Sequence, residues 1–136
     1  MDEALLAAYR ATEYRVRLPG GGWAAIRIGA PPPAVLRTLI DARPWGFVTA
    51  WNPYSRPLPR DANRLAQRAL LAELRALPGI AAIRAGCGAG PDGWREPSLF
   101  VSGARTGALD TLARRYEQNA YVHGHGAAPA RLRLPR

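Results

Sequence analysis

Glu96 lies in the run Trp94-Arg95-Glu96-Pro97-Ser98, directly before a proline that keeps it extended and aims its carboxyl consistently. It is the one carboxylate, of 10 acidic residues, set in such a motif; the others read as helix caps or surface charges. A single carboxylate of this kind can serve as a general base or as an acceptor that reads a ligand's polar edge. It does not make the carboxylate pair of a glycosidase. Nucleophilic catalysis has less to stand on. Ser55 and Ser98 lack a glycine elbow, and Cys87, with no His-Asp partner pattern, reads as a small buried hydrophobe. His123 and His125 are two apart, so in a strand both rings project from one face. A third metal ligand would have to be Cys87, Glu96 or an aspartate brought in by the fold, and no metal site and no cofactor is assigned.

Amides and aromatics supply the rest of the chemistry. Asn52, Tyr54 and Ser55 leave the end of an apolar strand, Asn63 and Gln67 open the next helix, and Gln118 and Asn119 close another. A cleft formed by Trp51, Asn52, Tyr54, Arg56, Asn63, Trp94, Glu96 and Gln118 would stack a base or sugar and read its edges. In it Arg56 would meet a negative group. The same polar groups also suit a structural role, capping helices and pinning the Asn52-Pro53 turn. A separate row, Arg60, Arg64, Arg68 and Arg75, is expected on the helix face opposite the apolar stripe, as a solvated face or a nucleic-acid contact.

The elements that must position these groups follow from period and punctuation. Asp2 caps a helix over residues 3–12 with Leu5, Leu6 and Tyr9 on one face. Tyr14 to Leu18 and Trp23 to Ile28 alternate around a Pro-Gly turn and predict a hairpin. Three prolines, 31–33, precede a helix from Ala34 to about Ala42 with Val35, Leu36, Leu39 and Ile40 inward. Phe47 to Trp51 is a buried strand, followed by a proline-rich loop that Asp61 closes as N-cap. The helix from Asp61 to Leu77 buries Ala62, Ala66, Ala69, Leu70, Leu74 and Leu77. Ile80 to Ala85 is a strand, the glycines from 86 to 93 are its connecting loop, and Leu99 to Ser102 is the returning strand. A helix from Thr106 or Gly107 to about Gln118 turns Leu109, Leu112, Ala113 and Tyr116 inward and ends at a left-handed Asn119. Tyr121 to His123 and Ala130 to Leu134 close the chain as a strand pair, with an arginine-tipped tail at about 131–136 that frays. The order α-β-β-α-β-α-β-β-α-β-β predicts an α+β domain, one mixed or largely antiparallel sheet packed with about four helices.

Four segments in this order, Thr49-Ala50-Trp51-Asn52-Pro53, then Asn63, then Trp94-Arg95-Glu96-Pro97-Ser98, then Tyr116-Glu117-Gln118-Asn119-Ala120, resemble a family of small bacterial proteins catalogued only as a domain of unknown function. The resemblance runs roughly from Tyr9 to Tyr121 and implies a single compact bacterial domain; the chain length predicts one domain over residues 1–136. It brings no activity, substrate or cofactor.

Composition sets the outer bounds. The 136 residues suffice for one domain with a proper core. All 19 basic residues are arginine and the net charge is +9, a bias that a GC-rich genome produces as readily as function does. It favours anionic partners, small molecule or nucleic acid. One cysteine allows no internal disulfide, the N-terminus is not a signal peptide, and no segment is apolar for long enough to span a membrane. A cytoplasmic location follows. The reading is a binding module for an anionic or nucleotide-like ligand; the alternatives are a small hydrolase or transferase using Glu96 as general base, and a structural or regulatory protein-interaction domain. A raised Glu96 pKa with a deep pocket would favour the enzyme, and an exposed apolar patch a protein partner.

Overall fold

The computed structural model describes residues 1–135 and contains the elements in the expected order. They are α1 (Glu3–Ala11), β1 (Glu13–Arg17), β2 (Trp23–Ile26), α2 (Arg37–Ile40), β3 (Pro44–Val48), α3 (Arg60–Ala76), β4 (Ala82–Ala89), β5 (Arg95–Ser102), α4 (Thr106–Arg115), β6 (Tyr121–His125) and β7 (Arg131–Arg133). Short 3-10 turns at Ala34–Leu36 and Pro53–Ser55 lie between them. The seven strands make one sheet in the order β2-β1-β4-β5-β3-β6-β7, and every pairing is antiparallel. The fold is α+β.

The sheet curls until its two edges meet. Ile28, just past β2, bridges Ala130, just before β7, and the Gly29 and Ala130 amides donate across the seam at 2.8 and 2.9 Å. Curling separates two cores. Alternate residues of each strand point inward, where Tyr14, Val16, Ile26, Trp45, Phe47, Phe100 and Val122 pack together. Trp45 stacks on Phe100 with centroids 5.9 Å apart, and Tyr14 meets Phe47 edge-on at 5.3 Å. Leu36 and Ile40 join this inner cluster from the end where β3 begins. On the outer face α3 and α4 cover Val48, Leu99 and Val101 with Leu70, Leu74, Leu109 and Leu112. Each fully buried leucine contributes about 1.5–3 kcal/mol.

Several local expectations need correction. The predicted helix 34–42 is a 3-10 turn followed by one α-turn, stopped at Asp41 by a φ of 52°, and Val35 is exposed. β3 ends at Val48 rather than Trp51, because the Gln67 side chain takes the Ala50 amide (2.8 Å) in place of a strand partner. Asp61 is in the first turn of α3 but does not cap it; Pro59 holds the cap position, and the stripe turned inward is Asn63, Leu70 and Leu74, with Ala62 and Ala69 exposed. α4 ends at Arg115, and the left-handed residue is Glu117 (φ 54°), not Asn119. The tail placed at 131–136 is strand through Arg133, tied to α4 by the Asp110 carboxylate; Arg136 lies outside the described residues.

The largest difference is the glycine run. β4 continues to Ala89 and β5 begins at Arg95, so Gly86 and Gly88 are mid-strand and not in a loop. The cause is close approach. A Cβ on Gly86 would stand 2.8 Å from the Phe47 ring, and one on Gly88 would stand 3.3 Å from the Trp94 ring. Two glycines on the inward face of β4 are where aromatic rings pack closely against the backbone.

Candidate functional site

The curl leaves a cavity of about 430 Å³ at the end of the inner face opposite α2. Strand register builds it. Tyr14 pairs with Gly88 across β1 and β4, and Gly88 pairs with Glu96 across β4 and β5, so Tyr14 and Glu96 flank a position with no side chain. Trp94, on the same face as Glu96, lies over Gly88. Phe47 and Val122 form the floor, and α1 crosses the mouth with Leu5, Ala8 and Tyr9. α1 starts where the Asp2 carboxylate accepts the Leu5 amide at 2.7 Å and ends where the Thr12 hydroxyl donates to the Ala8 carbonyl. No α1 residue is fully buried, so the helix is a cover rather than a core element.

The four polar segments singled out in the sequence converge here. Asn52 and Asn63 bond reciprocally: the Asn63 side-chain amide donates to Asn52 Oδ1 at 2.7 Å, and the Asn52 backbone amide donates to Asn63 Oδ1 at 2.9 Å. Thr49 Oγ1 donates to the Pro97 carbonyl at 2.8 Å, Gln118 Nε2 to the Trp51 carbonyl at 3.2 Å, and Asn119 Nδ2 to Ser55 Oγ at 3.0 Å. The turn they hold is strained, with Asn52, Tyr54 and Ser55 all at positive φ. Non-glycine residues in that region cost about 1–3 kcal/mol each and persist only where the surroundings over-determine them. Here the Tyr54 amide is fixed by the Glu117 carbonyl at 2.6 Å, and the Asn52 side chain by Asn63 and the Leu58 amide.

Of the eight proposed cleft residues, Asn52, Trp94, Glu96 and Gln118 line the cavity. The others do not. Asn63 is buried behind Asn52 and acts on the turn; Tyr54 and Arg56 are exposed and point elsewhere; Trp51 is half-buried against a separate groove beside α3. The reason is the turn past β3: Asn52 is left-handed (φ 48°), so the chain sends it and its neighbour Trp51 to different sites. Sequence reading missed Tyr9, Tyr14 and Phe47, which reach the cavity from other elements. The inward face of α1 was the available signal for Tyr9; for Tyr14 and Phe47 only the strand register supplies it.

A hydrogen-bond inventory shows what the cavity can offer a ligand. The Tyr14, Thr12, Thr49, Ser98 and Ser55 hydroxyls are all engaged within the protein. Asn52 Oδ1 and Gln118 Nε2 are engaged too; since Ser55 only accepts from Asn119, the donors left among the described residues are Asn52 Nδ2 and the Ser55 and Tyr9 hydroxyls, with Gln118 Oε1 as acceptor. Among the described residues the Glu96 carboxylate has no ion pair and no hydrogen bond. Burial among the rings pushes its pKa up to about 8, so near neutrality it holds its proton. Tyr9, beside it, is pushed up to about 12 by burial and then by the Glu96 charge, while the Ala120 backbone pulls the other way. Among the described residues no arginine lines the cavity, and its only charged groups are Glu96 and Asp92. An anionic ligand therefore has no counter-charge in it.

His123 is half-buried and held below its usual pKa by burial, then by Arg133 and Arg131. Among the described residues no three His, Cys, Asp or Glu side chains group closely enough to hold a metal.

Residues 48–121 match a family described as a protein of unknown function (DUF3293). The chain belongs to that family. The matched region takes in all four converging segments, but is narrower than the Tyr9–Tyr121 span of the sequence resemblance. It leaves out α1 and the β1–β2 hairpin, so Tyr9 and Tyr14 come from outside the family region. No curated protein and no solved structure matches the chain. Among the described residues no helix is long and apolar enough to cross a membrane.

Proposed function

We propose that this domain is a binding module for a flat, uncharged heteroaromatic molecule the size of a nucleobase or nucleoside, seated in the Glu96 cavity. The observation that carries the reading is a partnerless Glu96 carboxyl beneath Trp94 and Tyr9. Protonated, it presents one O–H donor and one carbonyl acceptor side by side, the pattern that reads an amide-like ring edge. The rings supply stacking area, and the volume lies in the usual range for small-molecule sites, about 300–1,000 Å³. The nucleotide-like half of the sequence expectation is kept and the anionic half is dropped from this cavity. A reducing cytoplasmic setting for the single free Cys87 is part of the same proposal.

Isothermal titration with nucleobases, nucleosides and their 5′-monophosphates tests it. Bases or nucleosides should bind and the monophosphates should bind more weakly. Glu96→Gln, which keeps a donor and an acceptor, should retain binding at neutral pH, whereas Glu96→Leu should abolish it. Wild-type binding should fall above pH ~8, where Glu96 ionises, and the Gln variant should not show that fall. Unchanged binding in Glu96→Leu would sink the proposal.

One observation favours a second reading. A carboxyl with its pKa near 8 is poised for proton transfer at working pH, as a general base of a small hydrolase or transferase must be. If a bound compound is turned over, Glu96→Gln should still bind it and lose turnover.

A further inference from the structure

We propose that a second site lies on the outer face of the sheet, where α3 meets Trp51, and that it takes single-stranded nucleic acid. The groove there encloses about 320 Å³. Its floor is apolar, Trp51 with Leu71, Pro97 and Leu99, and its rim is Arg60, Arg64 and Arg68. Sequence periodicity puts these arginines opposite the buried stripe of α3. In the structure they stand on its flank, beside the groove, with Leu65 on the outermost face at 69% exposure. Arg75 is on the same helix but outside the groove.

Three features select the occupant. First, the arginines carry unpaired charge: among the described residues none of the three is in an ion pair, and of the two acids on α3, Asp61 forms no ion pair with them and Glu73 is committed to Arg115 and Tyr116. Like charges four residues apart on a helix repel, so an external anion relieves the row. Second, the spacing is linear. Positions i, i+4 and i+8 place guanidinium groups about 6 Å apart along the helix, the rise of four residues. A single phosphate needs converging donors, whereas a row of this pitch suits successive phosphates of an extended strand. Third, Trp51 is a fixed platform. Its amide is held by Thr49 Oγ1 at 3.0 Å and its carbonyl by Gln118 Nε2, and the indole lines the groove. An aromatic platform beside a cationic track is how sequence-tolerant single-strand sites are built, with bases stacked and the backbone neutralised. An acidic peptide would use the arginines but has nothing to stack.

The test is fluorescence anisotropy on the intact protein with a labelled oligothymidylate of about 12 nucleotides, within the usual site sizes. Two variants carry the same loss of charge. Arg60→Gln/Arg64→Gln/Arg68→Gln empties the rim, and Arg10→Gln/Arg37→Gln/Arg75→Gln removes three exposed arginines elsewhere. All six side chains are at the surface, and a circular-dichroism melt checks that both variants stay folded. The rim variant should lose at least about tenfold in affinity and lower the salt slope by about 2, from ~0.7 per phosphate contact. The control triple should lose far less. Equal losses in the two triples would reduce the effect to net charge and overturn the site. Oligoglutamate competing as well as the oligonucleotide would overturn the choice of nucleic acid, and duplex binding as tightly as single strand would overturn the stacking role of Trp51.

Discussion

At the scale of the residue, Glu96 decides the chemistry. Its neighbours withdraw water without supplying a counter-charge, so the folded state holds the proton to about pH 8 while the unfolded chain releases it near 4.3. A raised carboxyl pKa means stability that is fully present below the unfolded value and declines as pH rises toward the folded one. The melting temperature of the wild type should therefore drop between about pH 5 and 8, and the Glu96→Gln curve should lack that component. His123, with a lowered pKa, changes stability in the opposite direction as pH rises, so the difference between the two proteins isolates Glu96. Thermal melts at half-unit steps make the comparison; parallel curves would mean that water reaches the carboxyl freely. Among the described residues no arginine neutralises Glu96, so its charge is not spent on a scaffold ion pair.

Elements are joined by a few polar contacts that the apolar periodicity does not announce. α4 was predicted from Leu109, Leu112, Ala113 and Tyr116, yet the residue that ties it to the final strand is Asp110, between two of them. Its carboxylate accepts two hydrogen bonds from Arg133 on β7, at 2.8 and 2.7 Å, and one from the Tyr121 hydroxyl at 2.7 Å. The Arg133 bonds, reinforced by Tyr121, hold Asp110 below its usual pKa. Its stabilising effect is thus present above the ordinary carboxylate range and is lost as pH falls through the lowered folded value. Asp110→Ala should cost about 1.5–3 kcal/mol, the range for hydrogen bonds to charged groups, and should flatten acid denaturation. Urea titrations at pH 7 and pH 3 check it: the two proteins should converge in stability at the lower pH.

At the scale of the whole molecule, closure of the sheet makes the cavity. An open sheet with the same strands would leave Tyr14, Phe47 and Glu96 on a broad surface; curling brings β1 and β6 around to face one another. The seam rests on the Ile28–Ala130 bridge, where Ala130 donates to the Ala30 carbonyl. Ala130→Pro removes that donor and leaves a buried edge unpaired, at a cost of about 1–3 kcal/mol. Hydrogen exchange should then speed up first at Gly29 and along β7, before the β4–β5 centre. Uniform acceleration across the sheet would mean that closure and sheet formation are inseparable.

Local pattern determined which elements exist, and in what order. Strand alternation, the 3.6-residue period of α3 and α4, and proline or glycine punctuation are properties of neighbouring residues, legible without the fold. The four polar segments were legible as a set for the same reason, and the family match covers them. Tertiary structure decided the rest. Strand order β2-β1-β4-β5-β3-β6-β7 depends on pairings between distant residues, and on it depends which glycines lie mid-strand beneath a ring. The Gly86–Gly93 run has the local composition of a loop, and only pairing with the distant β1 and with β5 makes its first half a strand, with the Phe47 and Trp94 rings in the space side chains would fill. Likewise Trp51 and Asn52 look like one site in sequence. The left-handed turn at Asn52 separates them, sending the amide to the Glu96 cavity and the indole to the arginine groove.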